Sequence, residues 1–189
     1  MREIIQEAIL ESIRVKEELL KNNLGQIVEI SQQIVESLKK GGKLIIFGNG
    51  GSASDAQHIA AELVGRFKKD RPGLPAISLT VNTSIITALA NDFGYDIIFA
   101  RQIEALADKA DIALGISTSG KAKNVILGLK QAKKMGLATI VLTGGDGGEL
   151  AKQADISLIV PSSQTARIQE SHILVGHIIC ELVEEAGIR

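Results

Sequence analysis

Five short apolar runs constrain this chain more than any other feature: "KLIIFG" (43–48), "AISL" (76–79), "DIALGIS" (111–117), "ATIVLTG" (138–144) and "ISLIV" (156–160). Each is continuous rather than alternating, and each is bounded by turn-forming residues. Strands buried on both faces read this way, because neither side of the pleat meets water. Helical periodicity fills the intervals at 53–67, 83–91, 96–108, 121–135, a short stretch near 148–153, and 165–186. Strands alternating with helices imply βαβ units with right-handed crossovers. The expectation is an α/β fold: a five-stranded parallel sheet sandwiched by helices.

Two amphipathic helices precede the first strand. Ile4, Ile5, Ala8, Ile9, Ile13, Leu19 and Leu20 share helical spacing over 3–20, and Leu24, Ile27, Val28, Ile30, Ile34, Val35 and Leu38 over 24–39. "KKGG" (39–42) ends the second with glycine at its carboxyl side. Neither helix is needed to complete the sheet. Residues 1–40 are therefore expected to form a helical hairpin in an oligomer interface, and 41–189 the α/β core. The whole, 1–189, reads as a single domain. The loop "KKDRPGLP" (68–75) reads as a spacer.

With Lys+Arg 21 against Asp+Glu 22, the net charge of −1 gives no reason to expect nucleic-acid binding. Aromatics are only 3%, so the core must be aliphatic. The single cysteine, Cys180, can form no intrachain disulfide and reads as a small buried hydrophobe. No run is long and apolar enough to predict a membrane span, and the N-terminus lacks a signal-peptide core, so a cytoplasmic location is expected.

In an open parallel sheet, ligands bind beyond the carboxyl ends of the strands. There the chain places Gly48-Asn49-Gly50-Gly51-Ser52, Ser117-Thr118-Ser119-Gly120, Thr143-Gly144-Gly145-Asp146 and Pro161-Ser162-Ser163. Glycines and hydroxyls followed by helix N-termini suit an anion. Serine and glycine also make ordinary turns, but the paired loops after the first and third strands favour a phosphate. "GNGGSAS" matches neither the P-loop pattern nor G-x-G-x-x-G, and "DFG" (92–94) stands without a kinase catalytic loop. A phosphate monoester held by hydroxyls and amides fits better. His58 and Glu62, at i and i+4, share a helix face. His172 and His177 are five residues apart, about 140° around a helix, so they cannot both face one site. Two imidazoles and a carboxylate suit Zn²⁺ or a similar divalent ion.

"GNGGSASDAQHIAAELVGRF", "NDFGYD", "GISTSG", "LTGGDGGELA" and "RIQESHILVGHIICELVE" together resemble the sugar-isomerase (SIS) domain, and more narrowly the bacterial phosphoheptose isomerase family, over nearly the whole chain. The resemblance implies a SIS-type, flavodoxin-like sheet and a homotetramer with sites built from more than one subunit. It implies conversion of sedoheptulose 7-phosphate to D-glycero-D-manno-heptose 7-phosphate through an enediol, for lipopolysaccharide or other surface glycans. Carried over by position, His58, Glu62, Gln169 and His177 would hold one zinc per subunit, with Glu62 and His177 also moving protons. Ser117, Thr118 and Ser119 would bind phosphate. Asn49, Gly50, Gly51, Ser52, Glu62, Asn91, Asp92 and Gln169 would contact the substrate. Ala122 departs from the pattern, since many relatives carry a hydroxyl there; Lys121 and Lys123 flank it. Gln169 and His177 would lie about 12 Å apart along a continuous helix. Two other readings are a non-enzymatic SIS protein that binds the replication initiator and a sugar-phosphate-sensing regulator. Retention of Glu62 and His177 weighs against the first, and the lack of a helix-turn-helix against the second.

Overall fold

The computed structural model describes residues 1–188. Two helices, α1 (Arg2–Asn22) and α2 (Leu24–Lys39), lead into β1 (Leu44–Gly48) and α3 (Gly51–Val64). Then follow β2 (Ala76–Ser78), α4 (Thr83–Phe93), a 3-10 turn (Tyr95–Ile97), α5 (Ile98–Leu106), β3 (Ile112–Ser117) and α6 (Lys123–Lys134). The chain closes with β4 (Ala138–Gly144), α7 (Gly148–Gln153), β5 (Ile156–Val160) and α8 (Thr165–Glu185). All five strands are parallel, in the order β2-β1-β3-β4-β5.

Why the strands lack alternation is visible in β1. Leu44 and Ile46 enter the core beneath α1, α2, α3 and α8, while Ile45 and Phe47 enter the core beneath α5, α6 and α7. All five β1 residues are buried. The order reverses direction at β1 and β3, so their carboxyl ends diverge and leave a crevice there.

Three boundaries differ from the sequence expectation. The helix expected at 53–67 begins at Gly51, because Gly50 turns the chain with φ 56° and Asn49 accepts the Ser52 amide at 3.0 Å. It ends at Val64, because the amide of Phe67 turns away to the Glu184 carboxylate. The stretch 96–108 divides into a 3-10 turn and a shorter helix. The loop 68–75 is more than a spacer. Arg71 pairs with Glu184 at 3.0 Å, with only 10% and 1% of the two side chains exposed. Sequence proximity hides this pair, since its members lie on opposite halves of the chain.

The outer faces of α1 and α2 stay uncovered. Ile4, Ile5, Ile9, Leu10, Ile13, Leu20, Leu24 and Val28 are exposed. On the other face of the helix pair Val15, Leu19, Ile27, Ile30 and Ile34 are buried, so the hairpin is apolar on two sides. Among the described residues, no helix is long and apolar enough to cross a membrane.

Candidate functional site

The crevice between β1 and β3 holds a small cavity of about 180 Å³, lined by Asn49, Ser52, Ile116, Ser117, Thr118, Ser119, Ala122 and Gln169. The loops after β1 and β3 therefore meet, as expected, and Gln169 at the start of α8 closes the side. The approach is close: a Cβ added to Gly51 would stand 2.3 Å from the Gln169 Nε2. Ala122 lines the cavity without a hydroxyl. Lys123 is tied to Asp96 at 2.5 Å, which leaves Lys121 as the flanking cation with no ion pair among the described residues. The Lys121 amide donates to Ser119 Oγ at 3.3 Å.

Asn49, which lines the cavity, is held from behind by an amide pair with the buried Asn124. Asn49 Nδ2 donates to Asn124 Oδ1 at 2.8 Å, and Asn124 Nδ2 donates to Asn49 Oδ1 at 2.9 Å. The Val125 amide also donates to Asn124 Oδ1, which orients that side chain from a fixed backbone donor. The Tyr95 hydroxyl adds a third bond, to Asn49 Oδ1 at 3.1 Å. Asn49 thus has its oxygen occupied twice and one N–H free. Tyr95 also draws the end of α4 toward the cavity. Asn91 and Asp92, on that helix, are exposed and bonded to each other at 2.9 Å. Tyr95 and Asn124 escaped sequence reading; their only signal was position next to the "NDFG" and "STSG" loops.

A second group forms further along the seam of α3 and α8. His58 Nε2 lies 3.0 Å from Glu62 Oε1 and 3.5 Å from His177 Nε2, and ligand atoms of all three residues fall within 4.8 Å of one another. Ligand atoms bound at about 2.0–2.1 Å to a tetrahedral Zn²⁺ are about 3.3–3.4 Å apart. The donor set and its spacing therefore fit a divalent ion, with a face left open because His58 is exposed. Gln169 does not join this group within one chain. α8 is unbroken from Thr165 to Glu185, so Gln169 and His177 stay about 12 Å apart.

Asp55 lies one turn before His58 on α3, at i, i+3 spacing. Burial pushes its carboxyl up to about 6, opposed by the charge of His58, and Oδ2 is enclosed without a partner. Cys180 is buried, and burial beside Glu62 and Glu184 pushes its thiol up to about 12, as an inert core residue.

His172 stands apart from this group. It is fully buried, its Nε2–H donates to the Thr143 carbonyl at 3.1 Å, and burial lowers its pKa to about 4. The sign follows directly. A folded pKa below the unfolded ~6.5 means that the unfolded chain binds the extra proton between about pH 6.5 and 4. Stability from this group is intact above pH 6.5 and falls as pH drops, by about 3 kcal/mol in all. Asp55 acts in the opposite sense over much of that window, so the raw profile is flattened. Denaturant unfolding of wild type and His172→Gln at pH 7 and pH 4.5 separates the two. The stability gap between them is expected to narrow at the lower pH; an unchanged gap would exclude a neutral buried imidazole.

The sequence profile described as "SIS domain" matches residues 9–144. A phosphoheptose isomerase of Aquifex aeolicus is 55% identical over 98% of this chain and 97% of its own length. One from Thermodesulfovibrio yellowstonii is 52% identical over 96% and 90%. The solved structure of a phosphoheptose isomerase from Neisseria gonorrhoeae superposes with a TM-score of 0.93 at 41% identity, covering 97% of this chain and 98% of that one.

Proposed function

This chain belongs to the SIS-domain family and, within it, to the phosphoheptose isomerases, and we propose that it converts sedoheptulose 7-phosphate to D-glycero-D-manno-heptose 7-phosphate. The observation that carries the reading is the pairing of two sites: a hydroxyl- and amide-lined cavity at the sheet end, and a His–Glu–His group on the neighbouring helices. The first suits the phosphate and the second the carbonyl end of a seven-carbon sugar.

Ser117, Thr118 and Ser119 hold the phosphate through hydroxyl and backbone donors. Asn49 offers its free N–H to a sugar oxygen, and Ser52 and Gln169 line the chain of hydroxyls. Glu62 removes a proton from C1 of the ketose as the C1–C2 enediol forms. His177 serves the sugar oxygens, and a proton returned to C2 gives the aldose. Net, one hydrogen moves from C1 to C2 and one from O1 to O2, with no redox partner needed. His58, Glu62 and His177 would hold one zinc, which would supply Lewis-acid polarisation at the carbonyl end of the sugar. Turnover of sedoheptulose 7-phosphate by zinc-loaded protein, with the metal counted by elemental analysis, tests the whole reading. The replication-initiator alternative finds no support in the relatives named above.

The same reading makes the protein a cytoplasmic homotetramer that feeds heptose into lipopolysaccharide or other surface glycans. The double-sided apolar character of α1 and α2 supports assembly, as does the distance of Gln169 from the metal group of its own chain. Light scattering is expected to give a tetramer for the intact chain. A full-length monomer would reject the assembly.

Ser119→Ala is expected to weaken sugar-phosphate binding by about 1–2 kcal/mol, the worth of a charge-assisted hydrogen bond, with folding little changed. Titration calorimetry with the substrate phosphate measures it. Unaltered affinity would move the phosphate to the "TGGDGG" loop.

A further inference from the structure

We infer that Glu184 and Arg71, acting with Phe67, are positioning residues that hold Glu62 and His177 at their working separation, an inference resting on the isomerase reading above. Glu62 rides on α3 and His177 on α8, so nothing local to either helix sets the distance between them. The two helices pack closely where Ile59 meets Gly176, and a polar tie is added to that packing further along the seam.

Glu184 lies seven residues beyond His177, two turns along α8 and about 20° from it around the axis. Its Oε1 accepts the Phe67 amide at 2.7 Å, and its Oε2 accepts those of Lys68 at 2.8 Å and Lys69 at 3.1 Å. Arg71 pairs with it at 3.0 Å. Arg71 then donates to the carbonyl of Glu62 itself at 3.0 Å, and to those of Leu63 at 2.8 Å and Gly65 at 3.3 Å. One ion pair thus joins the backbone at Glu62 to the α8 turn beyond His177. A carboxylate buried to 5% exposure is costly unless both oxygens are satisfied, and here both are.

The tie also fixes the loop that packs on His177. With its amide held by Glu184, Phe67 lays its ring on the His177 imidazole, centroids 5.4 Å apart and planes at 26°. The His58 ring meets the same imidazole edge-on at 4.9 Å. The His177 ring is therefore flanked by Phe67 and His58, and its Nε2 lies 3.5 Å from that of His58 in the metal group.

A second buried carboxylate provides the control. Asp111, at the far end of the sheet, accepts from the Lys43 amide at 2.8 Å, Lys43 Nζ at 2.6 Å and the Asp108 amide at 2.7 Å. It has the same structural office and touches no site residue.

The test compares intact wild type with Glu184→Gln, Phe67→Leu and Asp111→Asn. Zinc affinity is read by competition with a chromophoric chelator, and kcat and KM are read on sedoheptulose 7-phosphate. Outer residues that orient ligands typically cost 10–100-fold in metal affinity or activity when changed. Glu184→Gln and Phe67→Leu are expected to lose about tenfold or more in both zinc affinity and kcat. KM should change little, since the phosphate loop is untouched. Asp111→Asn should lose thermal stability but keep zinc affinity and kcat. Phe67→Leu leaves the ion pair in place and so reports even if Glu184→Gln fails to fold. Wild-type zinc affinity and kcat in Phe67→Leu, or equal losses in Asp111→Asn, would overturn the positioning role. Were the zinc losses found in a protein whose wild type turned over no heptulose phosphate, the positioning role would stand and the isomerase reading would fall.

Discussion

Glu62→Gln is expected to lower kcat by about 10²–10⁴-fold at equal metal occupancy, the usual loss when a general base is removed. Glutamine keeps the size of the side chain and one oxygen near His58, but it cannot take a carbon-bound proton. Weaker metal binding would add to the loss, because Glu62 Oε1 is one of the three converging donors. Zinc content must therefore be measured beside each rate. His177→Gln should also cut turnover. His172→Gln should not, because that ring is buried against the Thr143 carbonyl on another side of α8. Loss of turnover in a folded, metal-loaded His172→Gln, with His177→Gln active, would place the chemistry on the wrong helix face.

Gly120→Ala is expected to destabilise the protein by at least about 3 kcal/mol, or roughly 6–12 °C in Tm for a chain of this size. Two costs combine. Gly120 sits at φ +63°, which costs an L-residue about 1–2 kcal/mol. Its added Cβ would also stand 2.1 Å from the Gly147 carbonyl oxygen, a backbone atom that cannot swing aside. The loops after β3 and β4 would have to part, and Ser117 to Ser119 would move with the first of them. Substrate affinity should fall together with Tm. An alanine variant with unchanged melting by calorimetry would refute the close approach of these two loops.

The fold was legible because buried parallel strands leave a signature that no single residue controls. Leu44 to Phe47 serve both cores, so the run shows no alternation, and the same holds for β3 and β4; β5, at the sheet edge, departs from the expectation and alternates, with only Ile156, Leu158 and Val160 in the core. His58 and Glu62 were legible because a helix converts a spacing of four into a shared face. His177 was separated from His172 by the same rule, and the buried His172 accords with it. What could not be read lies between segments distant in the chain. Glu184 and Arg71 form one ion pair across 113 residues of sequence, and each alone looks like a solvated surface charge. Asn124 and Asn49 face each other only once β1 and β3 are neighbours. Asp55 was a different kind of omission, since its place one turn before His58 was visible and its burial was not.

The central claim is that one chain fold brings a phosphate cradle and a proton-moving His–Glu pair to bear on a seven-carbon sugar. Proton NMR of sedoheptulose 7-phosphate in D₂O with the zinc-loaded protein tests it most directly. The 7-phosphorylated aldose is expected to form, with solvent deuterium at C2 to the extent that the base exchanges its proton with water before returning it, and both changes are expected to be lost in Glu62→Gln. A tetrameric, fully zinc-loaded protein that left the ketose unchanged, with no deuterium entering C1 or C2, would contradict it.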